Sequence, residues 1–334
     1  MKRIQQLDGV RGIAILAVFV HHAIGVKLMW MGVDLFFILS GFLITGVLQH
    51  ARGQSLRGFF GYFYERRARR ILAPYLLLLF LGSMVLGVGW IRHWYFYLLL
   101  TNFLLPLGIP HPSAFVPLWS LAVEEQFYLV WPFAVYFLDE RQLKWLCGIL
   151  IITAPVLRGT LHFQQHWPIY TLTPFRMDLL AAGAMLRLEW NRNRNIVERW
   201  GLKASVVLVA AGLATLATLG RFNVTTYGNT RVGNALIYEG ALFICLGFML
   251  YALSGRSIRW LQFSALRYIG TISYSMYLVH LGALELVGRH VAGGAKVIVA
   301  FSLTVLYATL SWHLIERPLL RGVKSARVPA LETS

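Results

Sequence analysis

The sequence of 334 residues is 57% hydrophobic and 13% charged, with 31 Lys and Arg against 14 Asp and Glu and a net charge of +17. Soluble domains are about one quarter charged, so this composition, with its mean hydropathy of +0.61, excludes an ordinary soluble protein. In a soluble chain the positive charge would suggest nucleic acid as a partner. Here apolar segments of membrane-spanning length recur along the chain, and we expect the lipid bilayer, not nucleic acid, as its surroundings.

Ten membrane spans are predicted from the apolar segments. In chain order they are 10–28, 31–49, 73–90, 120–138, 143–158, 169–188, 204–220, 236–253, 266–287 and 295–315. The apolar stretch 94–106 falls short of a span and indicates a re-entrant or interfacial segment, or an eleventh span. The sequence therefore predicts an all-α polytopic bundle, with a single transmembrane domain at 1–320 and a short basic cytoplasmic tail at 321–334.

Lys and Arg are distributed unevenly between the two sides of this topology. The N-terminal tail and the segments on its side of the membrane hold 22 of the 31, and the segments on the opposite side hold 7. Because Lys and Arg in short loops are retained in the cytoplasm, both termini are predicted to be cytoplasmic. The N-terminus has no signal-peptide cleavage pattern, so we expect 10–28 to be a retained first span.

Cysteine usage gives no sign of a metal. Cys147 and Cys245 both lie in predicted spans, without the paired spacing of a metal site or a disulfide framework. We expect both to be small apolar packing residues.

The first span carries Arg11, His21 and His22, although each charge held inside a bilayer costs at least a few kcal/mol. Arg11 and His22 are eleven positions apart, so a helix separates them by about 16 Å and keeps them within about 20° of the same face. They form either one functional stripe or a snorkelling arginine with an interfacial histidine. These residues alone leave both interpretations open.

The segment "PLWSLAVEEQFYLVWP" places Glu124 and Glu125 inside a span. Adjacent helix positions point about 100° apart, so at most one of the two lines a given pocket directly. A buried glutamate can also serve only to bond a neighbouring helix. The cost of placing two carboxyl groups in succession near the membrane favours a functional role.

Two further spans carry polar groups. Asp34 lies near the outer end of the second span, where it either serves the site or caps the helix start. Ser40 and Gly41, near the middle of that span, are expected to let helices approach closely. In "GTISYSMYLVH", at 270–280, His280 is the residue that the pattern singles out.

Arginines cluster immediately before the third span, in "FYERRARRILAPY". The four are Arg66, Arg67, Arg69 and Arg70. They provide either a positive-inside signal beside anionic lipid or a phosphate site, because arginine binds phosphate through a bidentate fork. Arg176 and Asp178, near the outer end of the sixth span, form either part of a site or an ion pair.

Depth separates these groups into two sets. His22, Asp34, Glu124 and, as a further candidate, His280 lie toward the outer half of the membrane, whereas Arg11 and the cluster at 66–70 lie on the cytoplasmic side. Phosphate-binding groups at one end and acid-base groups at the other suit coenzyme A, whose phosphates are cytoplasmic anions. Its extended pantetheine arm could bridge much of the roughly 16 Å between Arg11 and His22.

These stretches together resemble the acyltransferase-3 family of integral-membrane acyltransferases, which O-acylate bacterial surface glycans and other extracytoplasmic acceptors. The resemblance runs from "LDGVRGIAILAVFVHHA" to "IERPLL" at 315–320. Its most specific element is an arginine followed, after ten residues, by a histidine; Arg11 and His22 match that spacing and His21 does not. Further motifs occur in the expected order: "GVDLFFILSGFLI", "RRARRILAPY", "WSLAVEEQFY", "FRMDLLAAG" and "SYSMYLVH".

The resemblance implies that His22 is the catalytic histidine and that Arg11 helps to hold acyl-CoA. Glu124 matches the glutamate of the family's tryptophan-serine-leucine motif. The residues at matching or neighbouring motif positions, expected to contact substrate or support the site, are Trp119, Ser120, Tyr128, Arg176, Asp178, Ser273, Tyr274 and His280.

The resemblance also implies the reaction partners. Acetyl-CoA is the expected donor, a carbohydrate or lipid-linked glycan is the expected acceptor, and the bacterial inner membrane is the expected location. Some family members carry a fused esterase-like domain; we expect none here, so that delivery to a distant acceptor would need a partner or a carrier-linked substrate.

The predicted mechanism has His22, oriented by Glu124 or Asp34, removing the proton of an acceptor hydroxyl as it attacks the thioester. A covalent acyl-histidine intermediate is the competing route. Two other classes of protein use intramembrane His and Glu: a proton-coupled secondary transporter, and an acyl-group conduit that serves a partner transferase. The inverted repeats of transporters are not found, and the ordered motifs favour the acyltransferase.

Overall fold

The computed structural model describes residues 4–225, 228–254 and 258–321. Over these residues the chain is helical without any strand, which confirms the predicted all-α class. The α-helices are α1 (Gln5–Ile24), α2 (Met31–His50), α3 (Leu56–Leu86), α4 (Trp94–Tyr97), α5 (Leu118–Phe137), α6 (Glu140–Thr160), α7 (Trp167–Thr171), α8 (Met177–Arg192), α9 (Arg194–Arg221), α10 (Arg231–Leu253), α11 (Ser264–Gly288), α12 (Gly293–Ser311) and α13 (Arg317–Arg321). Short 3₁₀ turns lie at Lys27–Trp30, Val88–Arg92, Thr101–Phe103, Ser113–Phe115, Thr173–Phe175 and Arg259–Gln262, and Trp312–Glu316 is a π-helix.

Several of these helices are suited to a membrane. In the part of the chain that the structure describes, seven helical segments are long and apolar enough to span it: Gln5–Ile24, Lys27–His50, Leu56–Val85, Glu140–Thr160, Arg194–Arg221, Arg231–Leu253 and Gly293–Leu320. The other three predicted spans coincide with α5, α8 and α11, of which α8 has only 16 residues. The protein is an integral membrane helical bundle, while the count of ten spans and the cytoplasmic termini stay predictions.

The helix ends differ from the predicted spans for local reasons. α1 ends at Ile24 and not at 28, because Gly25 adopts a left-handed conformation with φ 72° that terminates the helix. α3 begins at Leu56, so the arginine cluster belongs to the helix itself. The predicted span 169–188 becomes α7, a 3₁₀ turn and α8, interrupted near Pro174.

Two further predicted segments have different outcomes. The stretch 94–106 forms α4 and the short turn Thr101–Phe103, neither of which is long enough to span. The predicted tail 321–334 lies outside the described residues except for Arg321, the last residue of α13. The domain boundary at 320 therefore stays a prediction.

Glycines set the closest helix contacts. Gly41 of α2 and Gly183 of α8 lie against each other's helix backbone, where a side chain on either would meet the carbonyl oxygen of Leu180 or Ile38. Gly270 of α11 lies in the same way against the carbonyl of Asp8 in α1. Small residues permit this approach in membrane bundles. As a result α1 packs along α11, and α2 packs along α8.

Candidate active site

A cavity with about 630 Å³ of empty space lies between α1, α2, α3, α5 and α11. Its apolar wall includes Val33, Phe36, Phe37 and Ile71. Its polar lining residues are Arg11, Ser40, Arg67, Arg70, Ser120, Glu124, Tyr128, Ser273, Tyr274 and Tyr277. Eight of the sixteen candidate site residues therefore line one cavity, and they come from four helices, α1, α3, α5 and α11.

Three guanidinium groups face this cavity. Arg67 and Arg70 are three positions apart on α3, so they share one face of that helix, and Arg11 approaches from α1. The Arg67 guanidinium carbon lies 5.1 Å from the ring centroid of Tyr128. The Nε atom of Arg11 is buried and has no hydrogen-bond partner among the described residues. Since a buried unsatisfied donor is costly, this end of the cavity is suited to an anion.

The other two arginines of the cluster lie outside the cavity lining. Arg66 donates a hydrogen bond of 2.8 Å to the hydroxyl of Tyr62, and Arg69 forms a 2.6 Å ion pair with Glu65. Both bonds join neighbouring turns of α3 in exposed positions. The structure thus divides the cluster, with two arginines in the cavity and two on the outer face of the helix.

Glu124 is the carboxylate of the cavity. Its Oε1 accepts a 2.6 Å hydrogen bond from Ser40 on α2, and its Oε2 accepts a 3.2 Å bond from Tyr128 one turn along α5. Three guanidiniums and one carboxylate among the described lining residues leave the cavity with a net positive charge. Glu125, by contrast, lines a neighbouring cavity of about 520 Å³, which confirms that the two adjacent glutamates face different surroundings.

His22, in the last turn of α1, and His280, within α11, form a pair. His280 Nε2 lies 3.2 Å from His22 Nδ1, and the two ring centroids are 5.0 Å apart. His22 Nδ1 is also 3.0 Å from the carbonyl oxygen of Val18, and His280 Nδ1 is 2.7 Å from that of Tyr277. His280 is completely buried, whereas His22 is exposed. An incoming group can therefore reach His22 but not the histidine behind it.

Tyr277 connects the histidine pair to the cavity. Its hydroxyl lines the cavity and lies 2.5 Å from the hydroxyl of Ser120, while its ring centroid is 5.5 Å from that of His280. Both hydroxyls also lie within hydrogen-bond distance of the carbonyl oxygen of Pro117, so one hydroxyl donates to the other and the second donates to this carbonyl. His22 itself is not among the residues that line the cavity, so the positive cavity and the exposed histidine are neighbouring parts of one site.

Asp34 lies in a different environment from the one expected of a group that orients His22. It forms an ion pair with Arg176, and both side chains are fully buried. Arg176 also lies over the ring of Tyr238, with its guanidinium carbon 4.7 Å from the centroid. The ion pair of Asp34 thus joins α2 to the start of α8, and Glu124 hydrogen-bonds to Ser40 and Tyr128. Neither carboxylate hydrogen-bonds to His22 in the described structure.

Asp178 belongs to a second buried ionic group beside the first. It forms a 2.7 Å ion pair with Arg158 of α6, which also pairs at 2.6 Å with Glu239 of α10 and donates to the carbonyl oxygen of Phe175. Arg176 and Asp178 therefore pair with other helices and not with each other. These two groups hold α2, α6, α8 and α10 together.

Of the remaining predicted site residues, Trp119 packs in the core, and Ser273 and Tyr274 lie in the cavity wall. Trp119 is buried, with its ring centroid 4.8 Å from that of Tyr170. Ser273 and Tyr274 line the cavity, where Ser273 donates to the carbonyl of Gly270 and Tyr274 donates to that of Ile71.

Sequence reasoning missed three contributors. Tyr277 was not distinguished from the packing residues around it, and Ser40 was assigned to helix packing alone. Arg158 was not singled out, although an arginine at the end of the predicted span 143–158 was a usable signal, because a charge at membrane depth is costly.

The fold and the cavity define an integral membrane protein with a buried cationic site and an accessible histidine. Comparison with known sequences then identifies its family. The chain belongs to the acyltransferase-3 family, whose acyltransferase domain matches residues 4–316.

Relatives within the family carry more specific names. The chain is 29% identical to the peptidoglycan O-acetyltransferase OatA of Listeria monocytogenes, over 96% of this chain and 56% of that protein. It is 25% identical to the O-acetyltransferase OatA of Staphylococcus aureus, over 94% and 56% respectively. YrhL of Bacillus subtilis is 28% identical, over 94% of this chain and 54% of its own length. The chain thus spans about half the length of the curated relatives that it matches, and no solved structure gives a significant match.

Proposed function

We propose that this protein is a membrane O-acyltransferase that moves an acyl group, acetyl being expected, from cytoplasmic acyl-CoA to a hydroxyl of an extracytoplasmic or lipid-linked glycan. One observation carries the proposal: Arg11, one of the three arginines that line the cavity, and the exposed His22 lie on the same helix, α1. The names of the relatives support acetyl as the group and a glycan as the acceptor.

The donor is assigned to the positive end of the cavity. Arg11, Arg67 and Arg70 would bind the phosphates of coenzyme A, because guanidiniums pair with phosphate through charge-assisted bonds. The unpartnered Nε of Arg11 supplies a donor that the fold itself leaves unused. The pantetheine arm would then run past Tyr277 toward His22, and bring the thioester to the exposed ring.

His22 carries the proton in the proposed reaction. Its ring takes the proton of the acceptor hydroxyl while the hydroxyl oxygen attacks the thioester carbonyl carbon. The carbon–sulfur bond then breaks, the acyl ester is formed, and the leaving thiolate takes the proton from the imidazolium. One hydroxyl of the Ser120 and Tyr277 pair would turn from its present acceptor and donate to the oxyanion formed during the attack.

The test uses membranes that contain the wild-type protein, His22→Ala or His21→Ala at matched levels, supplied with acetyl-labelled coenzyme A. His21→Ala is the matched control, because His21 is the adjacent histidine; its Nδ1 lies 3.1 Å from the carbonyl oxygen of Val26, and its ring packs edge-on against that of His22 without a hydrogen bond to it in the described structure. We expect label in a glycan or lipid-linked fraction with wild type and His21→Ala, and loss of that label with His22→Ala. Equal labelling by all three proteins would refute the assignment of His22.

Two other results would each replace the proposal. Accumulation of label inside vesicles without a covalent product would indicate a transporter. Transfer that requires addition of a second membrane protein would indicate an acyl-group conduit. Label retained on the wild-type protein in the absence of an acceptor, and lost with His22→Ala, would indicate the acyl-histidine route within the same function.

A further inference from the structure

The buried histidine behind His22 has no role in the steps described so far. His280 is completely buried, and its Nε2 faces the Nδ1 of His22 at 3.2 Å. Burying an imidazole is costly unless its polar atoms are hydrogen-bonded. Both of its nitrogens have partners here, since Nδ1 lies 2.7 Å from the carbonyl oxygen of Tyr277. The position is therefore that of a built hydrogen-bond partner for His22.

The two carbonyl groups determine where the protons lie. A carbonyl oxygen only accepts, so the Nδ1 atoms that face Val18 and Tyr277 must each carry a proton in order to bond them. A neutral His280 with its proton on Nδ1 has a lone pair on Nε2. The hydrogen within reach of that lone pair is the Nδ1 hydrogen of His22, which is shared between His280 and the carbonyl of Val18.

The alternative arrangements leave polar atoms unsatisfied. If His22 carried its proton on Nε2, the lone pair of its Nδ1 would face the Val18 oxygen, and His280 could donate to that lone pair only by moving its own proton to Nε2 and losing its bond to Tyr277. If His280 were an imidazolium, a charge would be fully buried, and among the described residues no carboxylate hydrogen-bonds to it. The arrangement with both protons on Nδ1 satisfies every one of these contacts.

We propose that His280 is a positioning residue that holds His22 in the Nδ1–H tautomer, so that the lone pair on Nε2 of His22 is free for the substrate hydroxyl. This inference rests on the proposed function for its role in catalysis. When His22 takes a proton on Nε2, its ring becomes a cation. The Nδ1–H of that cation makes a charge-assisted hydrogen bond to His280, which is stronger than the bond made by the neutral ring. His280 thereby stabilises the protonated form of His22 without itself touching substrate.

Helix packing fixes the distance between His22 Nδ1 and His280 Nε2. Gly12 of α1 lies against Leu266, and Gly270 of α11 lies against the backbone of Asp8, so the two helices are in close contact along the half that precedes the histidines. The pair is thus held by the scaffold and not by a mobile loop.

Two substitutions separate a hydrogen-bonding role from a packing role. His280→Gln places a carbonyl oxygen near the position of Nε2 and keeps an acceptor for His22, whereas His280→Phe keeps an aromatic ring and removes the acceptor. We expect His280→Gln to retain activity within about threefold, and His280→Phe to lower kcat tenfold or more with little change in KM for acetyl-CoA. The reverse order of the two variants would show that His280 only fills space, and would overturn the proposal.

A second measurement does not depend on turnover. In protein labelled with ¹⁵N at histidine and placed in lipid nanodiscs, the signal of His22 is assigned by its loss in His22→Ala. We expect the Nδ1–H tautomer in wild type and in His280→Gln, and a mixture of tautomers in His280→Phe. An Nε2–H tautomer in the wild type would overturn the inference, even if His280→Phe does not fold. Activity that survives His22→Ala would refute the proposed function and leave the tautomer result unchanged, so the two failures are distinguishable.

Discussion

Arg66 and Arg67 are neighbours in the sequence, yet only Arg67 faces the cavity. The pattern "RRARR" predicts four candidate phosphate ligands and does not rank them. Helical spacing would have grouped Arg67 with Arg70 and Arg66 with Arg69, because residues three apart share a face. The choice of the inward pair required knowledge of which face of α3 is turned toward Tyr128 of α5.

Because Arg67 lines the cavity and Arg66 does not, substitutions of the two arginines should have different effects. Arg67→Gln should raise KM for acetyl-CoA about tenfold or more, since a lost charge-assisted bond is worth roughly 1.5–3 kcal/mol. Arg66→Gln should leave KM within about twofold, because Arg66 is exposed and bonds Tyr62 on its own helix. Steady-state kinetics with matched amounts of each protein measure the two values. Equal effects of the two substitutions would indicate that the cluster acts only through its overall charge.

A second prediction separates structure from catalysis at Asp34. The ion pair of Asp34 with Arg176 is fully buried, and removing one partner of such a pair costs about 3–5 kcal/mol by leaving the other charge unpaired. Asp34→Asn should therefore lower the free energy of unfolding by that amount. Glu198→Gln is the control, because its pair with Arg194 is exposed and should change stability by less than about 1 kcal/mol.

Denaturant unfolding in detergent, followed by circular dichroism, measures both proteins. If Asp34→Asn were as stable as wild type but inactive, Asp34 would have the catalytic role that the sequence suggested, and the structural interpretation of its ion pair would be wrong.

At the scale of the elements, the contact between α1 and α11 depends on Gly270. A side chain at this position would meet the backbone of Asp8 and Gly12, which cannot move aside, whereas one at Gly282 of the same helix would meet only the Ala114 side chain at an ordinary distance of 3.5 Å. Gly270→Ala should therefore separate the two helices, whereas Gly282→Ala should be tolerated.

We expect Gly270→Ala to reduce activity at least tenfold through the displaced histidine pair, and Gly282→Ala to retain most of it. Acetyl transfer assayed in membranes with equal protein levels measures both. Full activity of Gly270→Ala would mean that the bundle relaxes around the methyl group, and that the spacing of the histidines is less critical than the geometry indicates.

The sequence predicted the long helices well because their apolar content is high and continuous. Each of the ten predicted spans overlaps one of the helices, and Ser120, Glu124 and Tyr128 line the cavity, whereas Trp119 of the same motif does not. It did not predict that Asp34 pairs with Arg176, because two oppositely charged residues 142 positions apart leave no local pattern. The pairing of His22 with His280 is equally a property of helix packing, since 258 positions separate them.

At the scale of the whole molecule, the orientation in the membrane is open to a simple test. Leu28 follows α1 and Leu56 begins α3, and both are exposed. With both termini cytoplasmic, a cysteine at Leu28 should react with a membrane-impermeant maleimide in intact cells, and one at Leu56 should react only after permeabilisation.

The native cysteines provide a low background for this experiment, because Cys147 and Cys245 are both buried. Labelling before and after permeabilisation, measured on the purified protein, gives the side of each position. Labelling of Leu56→Cys alone in intact cells would reverse the orientation, and would place His22 on the same side as the acyl-CoA pool.

α1 carries both Arg11 and His22 without an interruption between them, so the helix fixes their separation. The two residues are about 16 Å and about three turns apart, so insertion of one alanine between them would lengthen the separation by only about 1.5 Å but would rotate His22 about the helix axis by about 100°. For a donor bound as proposed, α1 thus fixes the distance that the arm between phosphate and thioester must span. The acyl group lies beyond His22, so this helix does not select its size, and other residues must do so.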